Sequence, residues 1–476
     1  MFPRQVEHVN TASMRLTKLR ELYKRVRESQ SNTMSRPAMD SVMMPYVWYE
    51  GLPCDASTFR YCMNNTDFKT QCEHHGVFAR GPPASGRCAR EFRLFQLFGR
   101  EMSLHDPQAM LEEALDRNIP EAVRLLLQDS RVDPSADDNL AIWRASYYGH
   151  AEVVRLLLAD PRVDPSAYNN MAIRFAIQKG HAEVVRLLLA DPRVNPSDLD
   201  NMAIKNACLY GRSEVVRVLM TDNRVDPSAG NNWAIRYAIE NGHAEVVGLL
   251  LADPRVDPSA NDNWAIIKAS KNGHAEVVRL LLADGRADPS AEDNSAIIDA
   301  SMYGRSEVVR VLMADNRVNP SAQNNFAIAA ASYQGSAEVV RLLLADNRVD
   351  PSADFNLAIR RASNNGHVEV VRLLLTDNHV DPSAWNNSAI RYASSNGHAE
   401  VVRLLLADNR ADPSAVDNEA IKKAIKNGHA EVVQLLLEDG RVDPSADYNE
   451  AIKKAIENGH AEVVQLLLEY GRVVGL

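Results

Sequence analysis

Residues Asn139 to Ala167 read N-LAIWRASYY-G-HAEVVRLLLAD-PRVDPSA, and this stretch decides the fold. Its Pro165 has counterparts at Pro134, Pro196, Pro227 and onward to Pro444, always 31 residues apart, without insertion or deletion. Gly149 starts a second series on the same period that ends at Gly459, and Asn139 a third that ends at Asn449. Strict self-similarity at such a period is the signature of a stacked repeat architecture.

The chemistry of one period predicts two short helices. Asn139 stands where an N-cap is wanted, with its side chain on a backbone N–H of the first turn. Ala141, Ile142 and Ala145 then share one helical face. Gly149 ends that helix, because glycine takes the left-handed conformation without steric penalty. In the second helix Val153, Val154, Leu157 and Leu158 form the expected buried side, with Arg155 and Asp160 in water. Pro161 and Pro165 cannot continue a helix, so the chain turns toward the next unit. His150 and its counterparts read as helix-start residues. Two such helices cannot bury their apolar sides alone and gain a core only by stacking.

The string G-H-x-E-V-V-x-L-L-L, present at Gly149–Leu158, Gly180–Leu189, Gly273–Leu282 and Gly397–Leu406, resembles the second helix of ankyrin repeats. The likeness covers residues 107–476. The short unit, with x-A-I-R or x-A-I-K in place of T-P-L-H, is similar to repeats common in large DNA viruses of amoebae and in some protists. The resemblance implies an all-α fold: an ankyrin-type helical-repeat solenoid of about twelve units, offering a concave face to a partner protein. Asn118 replaces the glycine of the first unit, and Glu419, Glu450, Gln434 and Gln465 make the last two units more polar, as a terminal cap requires.

Three regions follow: a basic tail at 1–43, a small helical module at 44–105, and the repeat array at 106–476. The tail contains an amphipathic stretch at Met14–Gln30 and reads either as one helix or as a solvated segment. In the module, Leu52-Pro53 and Phe59–Cys72 resemble part of an F-box, which implies docking to a ubiquitin-ligase adaptor; the other reading is a cap on the first repeat. Four of the five cysteines (Cys54, Cys62, Cys72, Cys88) lie here, without zinc-site spacing.

The formal charge of −10 is uneven, with residues 1–105 net basic and the remainder strongly acidic. An acidic array opposes nucleic-acid binding, which depends on neutralising phosphates. No apolar run has the length of a membrane span or the form of a signal peptide, so an intracellular, cytoplasmic location (host cytoplasm for a viral protein) is expected. The histidines recur one unit apart, too far to share a metal ion. The Asp-rich turns lack the glycine and bidentate Glu of a calcium loop. No catalytic or cofactor motif appears, so the expectation is a binding protein without metal, cofactor or enzyme activity.

Positions that vary between units are free to make specific contacts. On the first helix and the turn before it they include Trp143, Arg144, Arg174, Phe175, Lys205, Trp233, Arg236, Tyr237, Trp264, Lys268, Phe326, Arg360, Arg361, Trp385, Arg391 and Tyr392. Arg, Trp and Tyr dominate interface hot spots. One reading is therefore a basic, aromatic groove for an acidic or extended protein segment. The other is that the cations are solvated helix formers and the tryptophans pack between units.

Overall fold

The computed structural model describes residues 106–442 and 448–474, together with Leu94 and Leu97. The basic tail and the F-box-like module, with its four cysteines, lie outside the described residues. Among the described residues there are twelve consecutive helix pairs and no strand. They start with Pro107–Asp116 and Pro120–Leu127 and end with Tyr448–Glu457 and Ala461–Val474. The chain divides into two compact units, Met1–Asp198 and Leu199–Leu476. Among the described residues no helix is long and apolar enough to cross a membrane.

Within each unit the repeat is built as the spacing requires. In repeat 2, Ala141, Ile142 and Ala145 of the first helix (Ala136–Tyr148) and Val153, Val154 and Leu157 of the second (Ala151–Leu158) are buried. Leu158 is only half-buried, so the apolar stripe of the second helix is narrower than its Leu-Leu-Leu run suggests. Gly149 is left-handed at φ 78°. The N–H of His150 bonds back to Ala145 O at 2.9 Å and that of Gly149 to Ser146 O at 3.3 Å. This pair of bonds satisfies carbonyls that a helix end would otherwise leave bare. Asn118 takes the same left-handed role in repeat 1, at φ 52°.

The repeated asparagine is not an N-cap. Asp137, Asp138 and Asn139 form a left-handed turn, with φ of 50°, 55° and 63°, and the regular first helix runs on from there. The Asn139 side chain accepts the N–H of Asp164, 25 residues ahead, at 2.7 Å. Asp164 Oδ1 in turn accepts the N–H and hydroxyl of Ser166, two residues on. The Ser166 carbonyl accepts the N–H of Asn170, four residues on, at 2.9 Å. Steps of 25, two and four residues complete the 31-residue period. From Asn201 to Asn418 the same links repeat without a break, as in Asn356–Asp381–Ser383–Asn387–Asp412–Ser414–Asn418. Within the second unit the N, D-P-S and N of the sequence are thus one continuous hydrogen-bonded rail.

Two further staples cross the repeat boundary. Asp160 is not left in water: it takes a two-pronged bond from Arg162, which holds its carboxyl below the usual carboxylate range. The same guanidinium reaches back to Val132 O at 2.8 Å and Leu127 O at 2.9 Å in the repeat before. The histidines do stand at the N-cap position of the second helices, as read from the sequence, but their side chains make no capping bond. His181 Nε2 instead meets the Tyr147 carbonyl at 3.0 Å, and His367 that of Tyr333 at 2.9 Å. Among the described residues no group of three or more His, Cys, Asp or Glu is placed to hold a metal ion.

Five serines on consecutive first helices, Ser270, Ser301, Ser332, Ser363 and Ser394, are fully buried, with no hydrogen-bond partner for Oγ among the described residues. Ser146, by contrast, bonds back to Ile142 O at 2.7 Å. An unpaired hydroxyl in a dry site costs ~1–2 kcal/mol. Ser270→Ala is therefore expected to stabilise the protein by ~1 kcal/mol, seen as a higher urea midpoint. A lower midpoint would mean that the hydroxyl is bonded after all.

Candidate functional site

Of the sixteen variable-row residues, Trp143, Arg144, Arg174 and Phe175 belong to the first unit and the rest to the second. In the first unit, Trp143 and Phe175 bring their rings to 5.6 Å, and Tyr147 meets Phe175 edge-on at 5.4 Å. Arg144 is spent on Asp116 at 2.6 Å and Glu112 at 3.6 Å. Arg174 is half-buried, its Nε without a hydrogen-bond partner among the described residues.

In the second unit, Lys205 is buried against Asp200, with Nζ 2.6 Å from the carboxylate. Arg236 lies between two rings, 4.3 Å from Trp233 and 4.6 Å from Trp264. Tyr237 stacks on Trp233 at 5.3 Å, while Lys268 pairs with Glu240 at 3.6 Å. Trp233 is 37% exposed, while Trp264 is half-buried against Arg236 of the repeat before. Arg391 is neutralised by Glu419, with Nε 2.6 Å from Oε2.

What remains forms a cleft across repeats 7 to 10, whose first helices are Ala291–Met302, Ala322–Gln334, Ala353–Asn364 and Ala384–Ser395. It encloses about 350 Å³, within the range of ligand pockets. Met302, Phe326, Tyr333, Leu357, Asn364 and Tyr392 line it together with Arg360 and Arg361. Arg360 stacks on Trp385 at 3.7 Å and touches the Asp354 and Phe355 carbonyls at 3.4 Å each. Partial burial pushes the Arg360 pKa below the usual arginine value, with Asp354 partly offsetting the shift. Arg361 lies over Phe326 at 5.1 Å and Tyr333 at 5.9 Å. Among the described residues no carboxylate lies within ion-pair distance of either arginine.

Phe326 and Tyr333 are seven residues apart and share a helical face with Ala329 and Ala330 between them. Those two slots carry Arg360 and Arg361 one repeat later, and Ile298 and Asp299 one repeat earlier. Ala329 and Ala330 are themselves buried, and the cleft lining comes from the residues around them. Beyond it, Phe355 and Trp385 stand 71% and 58% exposed in the left-handed turns, extending an aromatic rim.

Tyr333, Met302 and Phe355 were not among the residues expected from the sequence. Phe355 did carry a signal, since it stands where the adjacent repeats have Asn324 and Asn386.

A family model for ankyrin repeats (three copies) matches residues 111–200, 173–262, 236–324, 326–417 and 392–475. Among curated proteins there is no match.

Proposed function

Because the chain belongs to the ankyrin-repeat family, whose repeats generally mediate protein–protein interaction, we propose that it holds a partner protein on the first-helix side of its second unit, anchored at the Arg360–Arg361 cleft. One observation carries this reading. These two guanidiniums line the cleft, lie over aromatic rings and have no carboxylate within ion-pair distance among the described residues, while Arg144, Lys205, Lys268 and Arg391 are neutralised within the chain. A partly desolvated cation on a ring is a strong anchor for an incoming group.

The test is affinity capture from extract with the full chain and with Arg360→Glu/Arg361→Glu. Arg372→Glu, on the exposed second helix of the same repeat, is the control. The expected result is a bound protein depleted about tenfold by the double variant and retained by the control. Equal capture by all three would reject the site.

A further inference from the structure

We propose, building on that docking reading, that the cleft's occupant is an acidic segment of a partner protein that inserts one bulky apolar side chain beside a carboxylate. The cleft has two chemically different halves. Its floor and walls are apolar: Met302, Phe326 and Leu357, with the rings of Tyr333 and Tyr392. Its volume of about 350 Å³ lies at the small end of ligand pockets, which suits one large side chain rather than a folded element. Its edge is cationic. The Arg361 guanidinium lies 5.1 Å from the centre of the Phe326 ring and makes no hydrogen bond or ion pair among the described residues. A guanidinium has five N–H donors, and a carboxylate takes two of them in parallel. An extended segment with an apolar residue next to Asp or Glu satisfies both halves at once.

Charge selects among occupants. The chain's own residues 1–105 are net basic and are repelled by this edge. Nucleic acid would bring its phosphates to an array whose remaining surface is strongly acidic, and phosphate neutralisation is what its binding needs. An acidic peptide meets the opposite charge locally and buries only a short length of backbone.

The full chain is used to select a phage-displayed random linear-peptide library, and an enriched peptide is titrated by fluorescence anisotropy. Enrichment of an acidic residue beside Trp, Phe or Leu is expected. Arg361→Glu should weaken the peptide about tenfold. Leu357→Trp is the discriminating variant, because Leu357 lines the cleft and the larger ring fills it without changing the charge. Tryptophan already stands in that slot at Trp233 and Trp264, so the repeat tolerates it. Weaker binding by Leu357→Trp supports an inserted side chain. Unchanged or tighter binding overturns the insertion and leaves charge alone. Enriched peptides that lack the acidic–apolar pair but still depend on Arg361 overturn this proposal and leave the docking site standing. Peptides indifferent to both variants overturn both.

Discussion

Asn356→Ala is expected to destabilise the protein by ~2–4 kcal/mol. Asn356 is the third residue of a left-handed turn, at φ 60°, and is 7% exposed. A side chain other than Asn, Asp or Gly costs ~1–2 kcal/mol in that conformation. Its Oδ1 is also the acceptor for the Asp381 N–H at 2.7 Å. Removing it leaves a partly buried donor unpaired, at ~1–3 kcal/mol. Two further variants separate the contributions. Asn356→Gly keeps the backbone relaxed but loses the acceptor, so it should do less damage than alanine. Asn356→Asp keeps an acceptor of the same shape and should do least. Urea unfolding followed by circular dichroism ranks the three. Equal damage from alanine and glycine would show that the left-handed turn costs the alanine variant nothing.

The second large effect is expected from Gly335→Ala, at ~3 kcal/mol. Gly335 lies at φ 80°, and an added Cβ would fall 2.5 Å from His367 Nδ1. The ring must move, and its Nε2 contact with the Tyr333 carbonyl breaks. Gly459→Ala provides the comparison. Its φ is 74°, but nothing lies within 4 Å of the added atom, so only the ~1–2 kcal/mol of backbone strain applies. The difference in unfolding midpoint between the two variants reports the histidine staple. If they are equally damaged, the staple contributes nothing measurable. Tyr333 also lines the cleft, so Gly335→Ala links the stability of this repeat to the site.

The helix pairs were legible because their punctuation is local. Gly149, Pro161 and Pro165 act on the backbone beside them, and Ala141, Ile142 and Ala145 reveal a buried face within one turn of helix. The roles of Asn139, Arg162 and His181 were not, because their partners are 25, 30 and 34 residues away. A position before a helix suits an N-cap and a left-handed asparagine equally well. The candidate site was half legible. Arg360, Arg361, Phe326, Trp385 and Tyr392 stood out as cationic or aromatic. Which cations were already neutralised depends on the residue 28 positions away: Arg144 finds Asp116 and Arg391 finds Glu419, while Arg360 and Arg361 find Ser388 and Tyr333 in the corresponding slots. The opening itself was invisible as a motif, since its lining is drawn from four successive repeats.

The rail of Asn, Asp and Ser joins each repeat of the second unit only to the next. Injury to such an arrangement stays where it occurs, as with a single broken rung. A substitution near Asn201 should leave the chemistry around Arg361 undisturbed. Mutation can therefore try new side chains at one set of variable slots, repeat by repeat, without renegotiating the scaffold that carries the others.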